Sequence, residues 1–156
     1  MSASYTPRGK YFEQFAIGDT AQSAGRTITE SDIVAFAGLT GDHSQIHTNA
    51  EYARSTPFGQ RIAHGLLGLS VGVGLLVQVG FIEGTIIAFR ELTWKFSLPI
   101  FIGDTLWARA TVTGLKPFPR LGGGLVTFDV EIRSQEDKII QVGTWVALIA
   151  SQPGQA

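Results

Sequence analysis

Ile62-Ala63-His64-Gly65-Leu66-Leu67-Gly68-Leu69-Ser70-Val71-Gly72-Val73-Gly74-Leu75-Leu76-Val77-Gln78-Val79-Gly80-Phe81-Ile82 runs for 21 residues without a charge. A helix that is apolar nearly all round either crosses a bilayer or is wrapped by protein. Three features favour wrapping. His64, Ser70 and Gln78 interrupt the run, five glycines dilute it, and Arg61 and Glu83 bracket it with no positive-side asymmetry. Gly65, Gly68 and Gly72 fall at i, i+3 and i+7, a bare stripe along which another backbone can come close. The spacing predicts a long central helix over Ile62 to Ile82, enclosed by a sheet.

The sequence that follows supplies the sheet. Trp94, Phe96 and Leu98 alternate with Thr93, Lys95 and Ser97, a half-buried strand stopping at Pro99. A second strand is expected from about Thr105 to Leu115, with Leu106, Ala108, Ala110 and Val112 on one face. A third carries Val126, Phe128, Val130 and Ile132. The last, from about Lys138 to Ala150, is apolar on both faces, as a central strand is. Lys116 to Gly124, rich in proline and glycine, is expected to be a long flexible connection, and Ser151 to Ala156 a frayed tail.

Before the apolar run the pattern differs. Thr20 to Ile28 suits an extended strand. Thr29-Glu30-Ser31-Asp32 offers capping oxygens for a helix carrying Ile33, Val34, Phe36, Ala37 and Leu39 and ending near Gly38 to Gly41. A shorter helical piece is expected over Ala50 to Arg54. Helices segregated from strands that follow one another through short turns give an α+β domain with an antiparallel sheet.

The chain's 156 residues suit one domain, 1–156 with a core from about 11 to 150. A chain of this size buries roughly 68–70% of its unfolded surface and needs no disulfide or metal to fold. Hydrophobic residues at 44% against 16% charged exclude a disordered chain, and a net charge of −1 with no basic stripe argues against nucleic acid. There is no cysteine, hence no thiol nucleophile or thiolate metal site. Met1 to Lys10 lacks the apolar core of a signal peptide, so the cytoplasm is the expected compartment, with no membrane association.

Candidate chemistry lies in Gly38-Leu39-Thr40-Gly41-Asp42-His43-Ser44-Gln45-Ile46-His47. A loop containing Gly41 can bring Asp42 and His47 together. A carboxylate and an imidazole sharing one water form a general acid/base pair, and partial burial would move both pKa values toward neutrality. Taken alone, such a pair more often serves capping and hydrogen bonding than catalysis. His43 and His47, four apart, lack a placed third ligand, so no metal is expected. His64 suits a hydrogen bond in the turn into the helix. Arg54, Arg61, Arg90, Lys95, Lys116 and Arg120 are surface charges from which anion contacts could be drawn.

Phe36 to Asp42, Ile46-His47-Thr48, Tyr52-Ala53 and Ile62-Ala63-His64-Gly65-Leu66 together resemble the MaoC-like dehydratases, including the R-specific enoyl-CoA hydratases. Phe96 to Asp104 is similar to a later strand and turn of that family. The resemblance implies a hot-dog fold, an antiparallel sheet wrapped around a long central helix, and a homodimer or dimer of dimers.

It also implies roles. Asp42 and His47 match a catalytic dyad that activates water to hydrate a trans-2-enoyl-CoA to a 3-hydroxyacyl-CoA of R configuration, or the reverse. The backbone N–H of Gly65 would bind the thioester oxygen, and Ser70 would orient the aspartate. An acyl-CoA is then the substrate, and no metal or redox cofactor is required. Ser44-Gln45 stands where the family has Asn-Pro, which removes a preset φ from the loop. A hot-dog acyl-CoA thioesterase and a non-catalytic acyl-thioester binding module are the alternatives.

Overall fold

A computed structural model describes residues 5–154. Met1 to Ser4, the first residues of the Met1 to Lys10 stretch, and the last two residues of the expected tail lie outside them. Strands β1 (Thr20–Gln22) and β2 (Arg26–Thr27) precede helices α1 (Glu30–Thr40), α2 (Gln45–Thr48), α3 (Ala50–Arg54) and α4 (Gly65–Gln78). Then come β3 (Ile86–Phe96), β4 (Thr105–Phe118), β5 (Gly123–Arg133) and β6 (Ile139–Ala150). The strands form one antiparallel sheet in the order β1-β4-β5-β6-β3, with β2 also pairing β4. This is the α+β hot-dog arrangement, with α4 laid against the sheet.

The inward faces of β4 and β5 alternate as a half-buried sheet requires. Leu106, Ala108, Ala110 and Val112 are buried, as are Val126, Phe128, Val130 and Ile132. Leu75 and Leu76 of α4 pack into this layer beside Trp145 of β6, and Leu67 packs nearer the helix start with Ile28, Ile33 and Ile100.

Several expectations need correction. The central helix spans Gly65–Gln78 and is shorter than Ile62 to Ile82. His64 is extended at ψ 135, and Gly80 takes a φ of +84, so the chain turns at both ends. The helix is also enclosed on one side only: Leu67, Gly68, Gly72, Leu75 and Leu76 are buried, while Leu66 is exposed. Side chains, not a backbone, fill the glycine stripe. A Cβ at Gly65 would lie 2.9 Å from two ring atoms of Phe96, and one at Gly72 would lie 2.5 Å from Ile132 Cδ1.

Lys116 to Gly124 is no flexible connection. β4 continues to Phe118, a single 3-10 turn covers Pro119–Leu121, and Phe118 pairs with Gly123. The glycines make this possible, since a Cβ at Gly123 would meet Ile149 O at 1.9 Å. The expected strand over Thr20 to Ile28 is split in two. β3 begins at Ile86, well before Trp94, and bonds to β6 alone; Phe96 at its end and Leu98 just beyond it are exposed. In the tail, the N–H groups of Ser151 and Gln152 donate to Gly122 O and Glu13 Oε2. No helix among the described residues is long and apolar enough to cross a membrane.

Candidate active site

Helix α1 ends at Thr40, where Gly41 adopts φ +76 and lets the chain reverse. Asp42 follows in the turn, and α2 starts two residues after His43. Ser44 is the N-cap of α2 and Gln45 its first helical residue, the position where a proline is best tolerated. The helix thus supplies by backbone bonds what the missing proline would preset: His47 and Thr48 N–H both donate to Ser44 O. The whole of α2 is one turn, and it escapes sequence reading because four residues carry no periodicity.

The loop brings the expected pair together. His47 Nε2 lies 4.0 Å from Asp42 Oδ2, with the imidazole largely buried and the carboxylate half exposed. His47 Nδ1 is 2.8 Å from Ile62 O. A carbonyl only accepts, so Nδ1 carries the proton and a neutral His47 keeps a lone pair on Nε2, facing Asp42. Ile62 is itself held: its N–H donates to Ile46 O, and the Arg61 guanidinium beside it engages both oxygens of Glu30 at the start of α1.

The electrostatics of Asp42 differ from expectation. The hydroxyl and the N–H of Ser44 both donate to Oδ1 and, helped by the nearby imidazoles, hold the carboxyl below its ordinary value of 3.8. Burial is too slight to raise it. Asp42 is therefore an anion at neutral pH, poised to accept hydrogen bonds.

His64 completes the cluster. Its Nε2–H donates to the backbone carbonyl of Asp42 at 2.9 Å, across 22 residues of sequence. Its ring stacks on His47 with centroids 3.9 Å apart, and its Nδ1 is buried without a partner among the described residues. Asp42, His47 and His64 each place one ligand-type atom within 4.8 Å of the others, whereas His43 stays outside this group.

Ser70 is not brought to Asp42. Its hydroxyl donates to Leu66 O one turn earlier on α4, the usual way a helical serine satisfies itself. Ser44, two residues from the aspartate, makes the contact assigned to Ser70 from the resemblance.

His47 and Gly65 line one cleft of about 290 Å³, whose walls include Phe58, Phe96, Pro99 and Gln141. Gly65 is the first residue of α4, so its N–H has no acceptor within the helix and sits at the positive end of the dipole. The Phe96 ring lies against its Cα. Gln141 Nε2 donates to Gly65 O at 2.9 Å, while Gln141 Oε1 accepts the Trp94 indole N–H at 3.0 Å. Sequence reading passes over Gln141, although a single amide among Ile139, Ile140 and Val142 is the available signal.

Comparison with known proteins identifies the family. A family model described as a MaoC like domain matches residues 13–130. The chain is 44% identical over 107 residues to an (R)-specific enoyl-CoA hydratase of Rhodospirillum rubrum, a match covering 69% of this chain and 72% of that one. It is 36% identical over 107 residues to a 3-hydroxybutyryl-CoA dehydratase of Methylorubrum extorquens, covering 69% of this chain and 66% of the relative. A solved structure, the monoamine oxidase regulatory protein from Archaeoglobus fulgidus, superposes with a TM-score of 0.86 at 37% identity, covering 93% and 97% of the two chains. With the family model matching most of its length and the fold in common, the chain belongs to the MaoC-like dehydratase family.

Proposed function

We propose that this protein is a hydro-lyase that adds water across the double bond of a trans-2-enoyl-CoA to give an (R)-3-hydroxyacyl-CoA, and that catalyses the reverse dehydration. The carrying observation is that the free nitrogen of His47 sits 4.0 Å from the Asp42 carboxylate. One water about 2.8 Å from each acceptor would span them at roughly 90°, close to its own bond angle, so it can donate to both at once.

In the hydration direction the water oxygen bonds to C3 as its proton passes to the dyad. The electron pair of the double bond moves through C2 to the thioester oxygen, making an enolate. The enolate then collapses as C2 takes a proton from the dyad, so the net change is addition of one water. The Gly65 N–H, backed by the α4 dipole, is the donor for the enolate oxygen. Acid and base both come from side chains, and the scheme calls on no metal or redox cofactor. The names of the hydratase and dehydratase relatives support the two directions.

Two copies of the chain are also proposed to pair. Ile87, Phe89, Leu92 and Phe96 lie exposed on the edge strand β3, the kind of surface that a partner strand or sheet covers. Sedimentation velocity should give a dimer or a multiple of it, and a monomer would refute the pairing.

A panel of trans-2-enoyl-CoA esters of increasing chain length tests the reaction. Loss of the conjugated thioester absorbance with an R product is expected. Release of free thiol would make the protein a thioesterase, binding without turnover a thioester-binding module, and an S product would overturn the stereochemical reading.

A further inference from the structure

We infer that Gln141 is a positioning residue for the reaction, holding the first turn of α4 so that the Gly65 N–H points at the thioester oxygen. The inference rests on the hydratase reading above. Gln141 is 1% exposed, in a strand otherwise built of apolar and small residues. A buried amide is costly unless both its ends are bonded. Both are: Oε1 accepts from Trp94 Nε1, and Nε2 donates to Gly65 O.

The neighbours are built around that amide. Phe96 pairs with Gln141 across the β3–β6 ladder, so the two side chains leave the sheet on the same face. Both reach Gly65, the ring against its Cα and the amide to its carbonyl. Gly68, one turn further along α4, lacks a Cβ that would stand 2.6 Å from Gln141 Nε2. On the other side, His64 is tied to Asp42 O. Gly65 is thus fixed from before and after, which a residue without a side chain needs if its N–H is to keep one direction.

Orientation of this kind acts on the transition state, where charge develops on the thioester oxygen, more than on ground-state binding. Displacing the helix start by a fraction of an ångström is therefore expected to lower kcat and spare KM. Gln141→Met keeps the volume but removes both bonds. Its kcat for enoyl-thioester hydration should fall about 10- to 100-fold, with KM changed less than about threefold. Gln141→Glu donates to Gly65 O only while protonated, so its kcat relative to the wild type should rise as pH falls. Val112→Ala, a core change on β4 remote from the cleft, serves as control and should lose stability without losing kcat.

Steady-state kinetics on the full chain, with a trans-2-enoyl-CoA that the wild type hydrates, decides the matter. A folded Gln141→Met enzyme with wild-type kcat, or one altered in KM alone, would overturn the inference and leave the hydratase reading standing. Wild-type protein that hydrates no enoyl-CoA would overturn both. Should Gln141→Met not fold, the pH dependence of Gln141→Glu decides alone, and a flat ratio to the wild type refutes the positioning role.

Discussion

The Nδ1 of His47 lies 2.8 Å from the carbonyl oxygen of Ile62, fifteen residues further along the chain, and this contact fixes which nitrogen faces Asp42. With the proton held on Nδ1, the neutral ring offers Nε2 as a base. The carbonyl is in turn fixed by the Ile62 N–H on Ile46 O and by Ala63 N–H on Ile100 O. The backbone between α3 and α4 therefore sets which nitrogen of a side chain on α2 is free.

Ser44 holds Asp42 ionised, and its removal should be visible in the pH profile. Asp42 has a folded pKa below 3.8, so activity that requires the carboxylate is present above that folded value and lost as pH falls through it. Ser44→Ala removes the hydroxyl donor and raises the folded pKa toward the ordinary one. The acid limb of kcat/KM should move to higher pH. An unmoved limb, or one moved downward, would contradict the role given to Ser44.

Gly65→Ala introduces a Cβ 2.9 Å from two atoms of the Phe96 ring. The ring is half exposed and can swing, so folding should survive while the cleft is disturbed. kcat/KM should fall about 10- to 100-fold, which is roughly 1.4–2.7 kcal/mol of transition-state stabilisation. In a Phe96→Ala background the same substitution should cost less. Equal losses in both backgrounds would show that the ring is not the obstacle.

Gly72→Ala tests the packing of α4 on β5 separately from the chemistry. Its Cβ would meet Ile132 Cδ1 at 2.5 Å inside a buried layer. Overpacking should lower the unfolding free energy by about 1–3 kcal/mol in urea denaturation. Ile132→Val removes the obstructing methyl, and the double variant should be less destabilised than the two single losses added together. Simple additivity would contradict the contact.

Ser70→Ala should leave kcat within about twofold, since the hydroxyl donates to Leu66 O and reaches no other described residue of the site. Stability should change by no more than about 0.5 kcal/mol at this exposed position. A tenfold loss of kcat in stopped-flow or steady-state assays would restore the role implied by the family resemblance.

The sequence is readable where one physical signal dominates. Leu106, Ala108, Ala110 and Val112 alternate cleanly because β4 is paired on both sides and buried on one face. Asp42 and His47 are singled out by the family resemblance, since the loop pattern alone suits capping as well, and the turn at Gly41 does bring the two side chains together. β3 is misread, since alternation predicts a half-buried strand whether or not anything covers the second face. The pKa of Asp42 moves opposite to expectation because a serine two residues on outweighs burial, and no pattern announces a hydroxyl's direction. Gln141 and Gly65, 76 residues apart, meet only once the sheet has folded over α4.

The most direct measurement compares the wild type with Asp42→Asn and His47→Ala for loss of enoyl-thioester absorbance, alongside circular dichroism and thermal midpoints. Hydration should fall at least about 1,000-fold in each variant, near 4 kcal/mol in barrier, with the fold unchanged. Two well-folded variants that hydrate as fast as the wild type would contradict the account, because water activation would then reside elsewhere.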